Sequence, residues 1–148
     1  MLYDLAIVIY DFIVHLAAPF SRKPRKMMKG HCLVYELLRQ QVEKGERYIW
    51  FHAASLGEFE QGRPLIEMIR AKYPDYKILL TFFSPSGYEV RKHYRGADIV
   101  CYLPFDKPRN VKKFLDIANP CMAFFIKYEF WKNYLDELNK RRIPVYSV

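Results

Sequence analysis

One acidic residue, Glu58, stands where a carboxylate could take part in a reaction. It follows a small-residue stretch, residues 53–57, that separates an aromatic run from a segment with apolar residues at helical spacing. A carboxylate at the carboxyl end of a strand can act as a general base on a substrate hydroxyl, because open α/β sheets bind ligands there. The same carboxylate can also simply support the helix, since the helix dipole stabilises an acid in the first turn by about 0.3–1 kcal/mol. The residues alone leave both roles open.

The segments on either side of this stretch predict the elements that would position Glu58. Residues 48–51 are aromatic and β-branched, which is typical of a buried strand, and residues 58–71 carry the apolar periodicity of a helix. The small residues between them allow a sharp turn and leave room for a ligand. Free N–H groups at the start of the helix favour negative charge there. We therefore interpret this junction as the functional edge of the chain.

The rest of the chain alternates between apolar runs and segments with helical spacing. Asp106, followed by Pro108, predicts the N-cap of a helix. Alternation with short connections predicts an α/β fold, a Rossmann-like parallel sheet with helices on both faces. The further predicted strands cover residues 76–83, 98–103, 121–126 and 144–148, and the further predicted helices cover residues 31–43, 88–94 and 108–118 and a segment ending near residue 140.

Three turns follow predicted strands, at residues 53–57, 84–87 and 127–129. In a parallel sheet they would gather along one edge and form one crevice. The hydroxyl and N–H groups of the second turn could hold an anion, although a plain helix cap explains the same residues. Neither G-x-G-x-x-G nor G-x-x-x-x-G-K-[ST] occurs, so dinucleotide binding and P-loop chemistry lose their main support.

Residues 2–18 are strongly apolar but contain Asp4, Asp11 and His15. As a helix they would span about 26 Å, against about 30 Å for the hydrocarbon core of a bilayer. The three polar residues fall on one narrow stripe of such a helix. We expect a membrane-associated helix, which either lies in the interface or spans with its polar seam packed on protein. The alternative is an amphipathic first helix packed on the domain itself.

Basic residues follow this apolar segment, whereas a signal peptide carries them before it, so we expect no cleavage. Such a cluster indicates a cytoplasmic position and contact with anionic lipid headgroups. Pro19 and Pro24 are predicted to mark the break after the first element. We divide the chain into a membrane anchor with a basic segment, residues 1–29, and a Rossmann-like domain, residues 30–148. The five cations are Arg22, Lys23, Arg25, Lys26 and Lys29.

Composition narrows the classes of partner. The chain of 148 residues is 51% hydrophobic, which suits one folded domain and excludes a disordered chain. A formal net charge of +8 points to an anionic partner, which could be nucleic acid, an anionic membrane or a phosphorylated substrate. Nucleic acid is the weakest of these, because the basic residues are scattered. The widely spaced Cys32, Cys101 and Cys121 predict reduced packing residues in a cytosolic setting and no metal site.

With its motifs laid out, the chain resembles the N-terminal half of the 3-deoxy-D-manno-octulosonic acid (Kdo) transferases of lipopolysaccharide synthesis. The apolar first segment followed by basic residues is part of this resemblance. The other parts are H-A-A-S-L-G-E at residues 52–58, the turn at 81–87, Y-L-P-F-D at 102–106 and E-F-W-K-N at 129–133.

The resemblance implies an inverting, metal-independent glycosyltransferase of the GT-B type, with two Rossmann-like domains and no cofactor, at the cytoplasmic face of the inner membrane. Such an enzyme moves Kdo from its donor CMP-Kdo to a hydroxyl of a lipid A precursor. The resemblance makes Glu58 the general base and places Glu129 in the same crevice, for acceptor binding or for support of the base. The substrate-binding residues that we expect are His52, Ser55, Gly57, Ser84, Ser86, Gly87 and Glu129.

The second domain of that family, which binds the nucleotide sugar, has no counterpart in these 148 residues. We therefore expect this chain to bind the acceptor and an anionic membrane but not CMP, and to be inactive in transfer by itself. The alternative is a non-catalytic Rossmann-like module at a membrane that binds an anion or a nucleotide.

Overall fold

The computed structural model describes residues 2–127 and 129–148, in which two helices are followed by five strands that alternate with four further helices. Tyr128, which belongs to the third predicted turn, lies outside the described residues. The helices are α1 (Leu2–Ala17), α2 (Arg22–Gln41), α3 (Leu56–Lys72), α4 (Pro85–Arg91), α5 (Pro108–Ala118) and α6 (Lys132–Lys140). The strands are β1 (Tyr48–Ala53), β2 (Lys77–Phe82), β3 (Ile99–Tyr102), β4 (Met122–Phe125) and β5 (Val145–Ser147).

The five strands form one parallel sheet in the order β3-β2-β1-β4-β5, which confirms the predicted α/β fold. The chain leaves the central strand β1 for β2 and β3 on one side and later returns to β4 and β5 on the other. Ligand crevices of open α/β sheets form at such a switch point, outside the carboxyl ends of the strands. The segment that follows β1 therefore leads directly into the crevice.

Helices cover both faces of the sheet, as predicted. Along β1 the side chains alternate, so Ile49 and Phe51 lie in the same core cluster as Phe59 of α3, while Trp50 faces the opposite layer and packs against Phe114 of α5. Helices α2 and α6 complete that second layer. All six residues of β1 are buried, which is expected of a central parallel strand covered on both sides.

Helix α1 contacts the domain through its polar stripe and through Tyr10 and Val14, which pack beside Phe83 and Phe105. Asp4 accepts a hydrogen bond of 3.0 Å from the side-chain amide of Asn133, and Asp11 forms an ion pair with Lys107. The apolar face points away from the domain, which reverses the usual arrangement of an amphipathic helix. Its residues Leu2, Leu5, Phe12, Ile13 and Leu16 are 54% to 87% exposed.

In the described part of the chain, no helix by itself has the length and apolar character needed to cross a bilayer, whereas α1 and α2 taken together, with a 119° bend between them, meet those criteria.

Helix α2 begins at Arg22, earlier than the predicted start at residue 31. Pro24, predicted to mark a break, lies in the first helical turn, where its missing N–H costs no hydrogen bond. Arg25 donates hydrogen bonds to the carbonyl oxygens of Ala18 and Pro19 at 3.3 and 2.9 Å. One of the five clustered cations therefore satisfies carbonyl groups at the end of α1 and holds the bend between the two helices.

The buried carboxylate of Asp106 connects three elements. Its prediction as the N-cap of α5 is wrong, because Lys107 occupies that position. Asp106 instead accepts hydrogen bonds of 3.1 Å from the backbone N–H groups of Asn133 and Tyr134 in the first turn of α6, and one from the hydroxyl of Tyr3 in α1. The side chain of Asn133 donates in turn to the Asp106 carbonyl at 2.7 Å. The Y-L-P-F-D and E-F-W-K-N segments are thus held together by direct hydrogen bonds.

Two histidines are buried in the fold. His31 of α2 is stacked on Phe105 and lies edge-on to Phe83, and burial lowers the pKa of His31 to about 4. His52 of β1 is fully enclosed, and burial lowers its pKa to about 3. In both cases the apolar surroundings disfavour the charged form, so both rings are neutral in the folded protein at pH 7.

We predict that Asp106→Ala lowers the free energy of unfolding by about 2–4 kcal/mol, because α6 loses its cap and two buried N–H groups lose their acceptor. Urea denaturation measures this loss. Asp136→Ala, within α6 itself, is the matched control, since Asp136 is exposed and pairs with Lys132. We expect it to change the free energy of unfolding by about 0.5 kcal/mol or less. Equal losses for the two variants would contradict the capping role.

We also predict that the fold loses stability as the pH falls from 7.5 to 5. An unfolded histidine has a pKa near 6.5 and takes up a proton below it, whereas the folded rings do not. Stability from each histidine is therefore complete above about pH 6.5 and falls by up to about 1.4 kcal/mol per pH unit below it. Urea denaturation at several pH values should show a shallower slope for His31→Phe than for the wild type. The exposed His93, replaced by Gln, is the control, and an unchanged slope in His31→Phe would contradict the assignment.

Candidate active site

Glu58 lies at the third position of α3, just beyond the carboxyl end of β1. Its Oε2 accepts hydrogen bonds from the backbone N–H of Ser55 at 2.6 Å and from the Ser55 hydroxyl at 2.8 Å. Glu58 therefore closes the N-terminal turn of α3 in the manner of a capping box. Within the described part of the chain, its other oxygen, Oε1, has no hydrogen-bond partner. One oxygen thus supports the helix while the second is available to accept a proton.

The helix start around Glu58 is open. Helix α3 begins at Leu56, so Gly57 belongs to its first turn rather than to the preceding stretch. The nearest atom to a Cβ placed at Gly57 would be the Ser55 hydroxyl oxygen, at 4.0 Å. The surface beside the carboxylate therefore has room for a ligand.

Glu129 follows β4 and brings a second carboxylate to the same edge of the sheet. Its Oε2 accepts a hydrogen bond of 2.7 Å from the indole N–H of Trp131 and lies 3.9 Å from Nε2 of His52. Burial raises the pKa of Glu129, the bond from Trp131 lowers it, and the negative charge of Glu58 raises it. The charges of the two carboxylates are therefore close enough to interact. This is expected if the first and third turns lie at the same edge of the sheet.

His52 lies behind Glu129 and is fully buried. Its Nδ1 is 3.0 Å from the hydroxyl oxygen of Thr81, and its ring meets Trp131 edge-on. Because the ring is closed off from solvent, it acts on the crevice through its neighbours. Its predicted role in substrate binding stays a prediction.

The second turn differs from its prediction. Helix α4 begins at Pro85, not at residue 88, because proline is well suited to the first helical position, so only Ser84 precedes the helix. The Ser84 and Ser86 hydroxyl oxygens are 2.6 Å apart, and the backbone N–H of Ser84 donates to the Ala54 carbonyl at 2.9 Å, which ties this turn to the first one. In the described residues, no hydrogen bond connects either serine side chain to the two carboxylates.

Gly87 has a packing role. A Cβ at this position would come within 2.2 Å of the Phe82 ring, so only glycine lets α4 approach the end of β2 this closely. Its predicted contact with a substrate stays a prediction.

Two residues of the site did not stand out as site residues from the sequence. Trp131 fixes Glu129 from two positions further along the chain, and the E-x-W spacing is the only local signal for it. Thr81 meets His52 across paired strands, and this contact follows from the register between β1 and β2 rather than from any local motif. Among the described residues, no group of three or more His, Cys, Asp and Glu side chains could hold a metal ion.

The comparisons with known proteins agree with this architecture. The family model for 3-deoxy-D-manno-octulosonic-acid transferase (kdotransferase) matches residues 28–148. The chain is 34% identical over 97 residues to a 3-deoxy-D-manno-octulosonic acid transferase from Haemophilus influenzae, a match that covers 65% of this chain and 23% of that protein. It is 34% identical over 84 residues to the transferase of the same description from Aquifex aeolicus, covering 56% of this chain and 23% of that protein.

A third relative is described as a bifunctional glycosyltransferase/methyltransferase, from Fusobacterium nucleatum, with 29% identity over 108 residues, or 71% of this chain and 17% of that protein. The chain thus spans about a quarter or less of the length of the curated relatives that it matches. Because the family model covers most of the chain, from residue 28 to residue 148, the chain belongs to the Kdo transferase family and corresponds to its N-terminal part.

Proposed function

We propose that this chain is the acceptor-binding and catalytic-base domain of a glycosyltransferase that moves Kdo from CMP-Kdo to a hydroxyl of a lipid A precursor. Membership of the family supports the transferase class and a role in lipopolysaccharide synthesis. Glu58 is assigned as the base because its two carboxylate oxygens have different contacts. Ser55 fixes its orientation through Oε2, while Oε1 is without a partner among the described residues at the crevice edge.

In the proposed reaction, Oε1 of Glu58 takes the proton of the acceptor hydroxyl as the hydroxyl oxygen attacks the anomeric carbon of Kdo. The configuration at that carbon inverts, and CMP leaves as a phosphate that needs no acid from the protein. The proposal assigns no metal and no cofactor. The donor nucleotide would bind in a second Rossmann-like domain, in the GT-B arrangement, on the opposite side of the crevice.

Glu129 supports this chemistry from the neighbouring strand. With Oε2 held by Trp131, its orientation is fixed, and its charge lies close enough to Glu58 for the two to interact. We assign it to orienting the acceptor, because a fixed carboxylate accepts hydrogen bonds from sugar hydroxyl groups. Ser84 and Ser86 offer two further hydroxyl groups at the same sheet edge, where an acceptor hydroxyl or phosphate could bind.

The acceptor in this proposal is phosphorylated and acylated, which accounts for two surfaces of the chain. The apolar face of α1 would lie in the lipid interface, while its polar stripe stays on the domain through Asp4 and Asp11. The basic residues in the first turns of α2 would then meet anionic headgroups at the cytoplasmic face of the inner membrane. The crevice would then lie beside the membrane that holds the acceptor.

We predict that Glu58→Gln lowers turnover by about 10²–10⁴-fold, the usual contribution of a general base. A suitable enzyme is a chimaera in which residues 1–148 replace the matching part of the Haemophilus influenzae relative. The fold should survive, because the amide of glutamine still offers an acceptor to Ser55. Glu60→Gln is the matched control in the same helix, since Glu60 pairs with Arg63 at 3.2 Å, and it should keep most of the activity. Full turnover by Glu58→Gln would instead support a non-catalytic binding module.

We further predict that the double variant Phe12→Ser, Leu16→Ser binds anionic phospholipid vesicles at least about 10-fold more weakly than the wild type, because burial of each side chain contributes up to about 1.5–3 kcal/mol. Vesicle sedimentation measures the affinity. Val90→Ser removes an apolar side chain that is 58% exposed but lies on α4, and it serves as the control. Equal affinities of the double variant and the wild type would show that the apolar face of α1 does not meet the membrane.

A further inference from the structure

We propose that Thr81 holds His52 in the tautomer that carries its proton on Nε2, and that this N–H orients the carboxylate of Glu129. His52 is then a positioning residue, which acts on the crevice through Glu129 without touching the substrate. The inference rests on the proposed function only where it assigns a catalytic purpose to that orientation. The tautomer itself is a property of the fold.

The geometry begins with the register of two paired strands. His52 of β1 lies opposite Thr81 of β2, and Trp50, two residues earlier, faces the same side of the sheet. The indole N–H of Trp50 donates to the Thr81 hydroxyl oxygen at 2.8 Å, and Nδ1 of His52 lies 3.0 Å from the same oxygen. All three side chains are completely buried. Counting donors and acceptors in this cluster leaves two arrangements, which differ in the ring nitrogen of His52 that carries the proton.

The indole N–H can only donate, so it occupies one lone pair of the Thr81 oxygen. The hydroxyl proton of Thr81 then has two acceptors, Nδ1 of His52 at 3.0 Å and the carbonyl oxygen of Phe51 at 3.4 Å. In the second arrangement Thr81 donates to Phe51 and accepts from a protonated Nδ1. The first arrangement gives the hydroxyl proton the shorter and therefore stronger bond, and the surroundings of Nε2 distinguish the two. If Thr81 donates to Nδ1, that nitrogen is unprotonated, and the proton of the neutral ring must be on Nε2.

The far side of the ring supports the same assignment. Among the described residues, Nε2 of His52 is buried without a hydrogen-bond partner and faces Oε2 of Glu129 at 3.9 Å. An unprotonated Nε2 would bring a lone pair towards a carboxylate, which is unfavourable because both atoms are acceptors. A protonated Nε2 is a donor facing an acceptor. The separation exceeds a typical hydrogen bond by about 1 Å, so the Nε2–H group attracts Oε2 electrostatically from a short distance.

Three groups act on the Glu129 carboxylate among the described residues: the indole N–H of Trp131, the charge of Glu58, and the His52 ring. Two donors aimed at Oε2 fix the orientation of the carboxylate. Its other oxygen, Oε1, is then directed to accept a hydrogen bond from a ligand. Donation to the ionised form also favours that form against burial and against the charge of Glu58.

Nitrogen-15 NMR of the purified 148-residue chain tests the tautomer. The ring shifts of His52 should show a neutral imidazole with the proton on Nε2 in the wild type and in Thr81→Ser, which keeps the hydroxyl. Thr81→Val removes the hydroxyl at nearly constant shape and should shift the population towards the Nδ1–H tautomer. A proton on Nδ1 in the wild type would overturn the proposal, and this result is decisive even if Thr81→Val does not fold.

Carbon-13 NMR of the Glu129 carboxyl group tests the positioning effect. Loss of the Nε2–H donor in Thr81→Val should raise the pKa of Glu129 by about 0.5–1 pH unit, while Thr81→Ser should match the wild type. Equal titration curves for Thr81→Val and the wild type would show that His52 does not act on Glu129. Neither measurement depends on turnover or on a catalytic role of Glu58. If the proposed transferase reaction fails, these two NMR results can still be interpreted, and if the NMR results fail, the proposed reaction is not affected.

Discussion

Parallel pairing of β1 on both of its sides is the constraint on which the rest of this structure depends. Hydrogen bonds to β2 on one side and β4 on the other make β1 the strand where the topology reverses. The chain that leaves β1 therefore enters a crevice, and the first carboxylate in the following helix is Glu58. The same pairing sets Thr81 beside His52, and β4 continues to Glu129. The two acidic motifs, far apart in sequence, meet because they follow neighbouring strands.

A second set of contacts ties helix α1 to this edge of the sheet. Asn133 donates to Asp4 of α1 and to the carbonyl of Asp106, and Asp106 holds the first turn of α6. Asn133 stands four residues after Glu129 in the same motif. The position of α1 and the start of α6 therefore depend on one hydrogen-bonded junction. In the proposed function, this junction would keep the crevice at a fixed distance from the lipid surface, with the apolar face of α1 turned outward.

The sequence predicted the strands well, because strands buried in a parallel sheet are largely apolar runs, and β1 to β4 fall where such runs occur. Strand β5 also lies within its predicted range, although it is a mostly exposed edge strand. Glu58 could be singled out because small residues precede it and a helix follows. Contacts between distant segments could not be predicted. Asp106 has the spacing of a local cap but caps α6, and nothing near Thr81 in sequence indicates that it meets His52. The predicted starts of α2 and α4 are also wrong. We expected each helix to begin after its proline, whereas a proline can occupy the first turn of a helix, as Pro24 and Pro85 do.

We propose that this chain binds the acceptor of a sugar transfer. Binding of the purified chain to a phosphorylated lipid A precursor in detergent, with CMP measured in parallel, tests this proposal. We expect saturable binding of the lipid and no binding of CMP, because the basic first turns of α2 and the exposed apolar face of α1 suit an anionic, acylated ligand. Binding of CMP without binding of the lipid would contradict it, and the crevice would then be a nucleotide site.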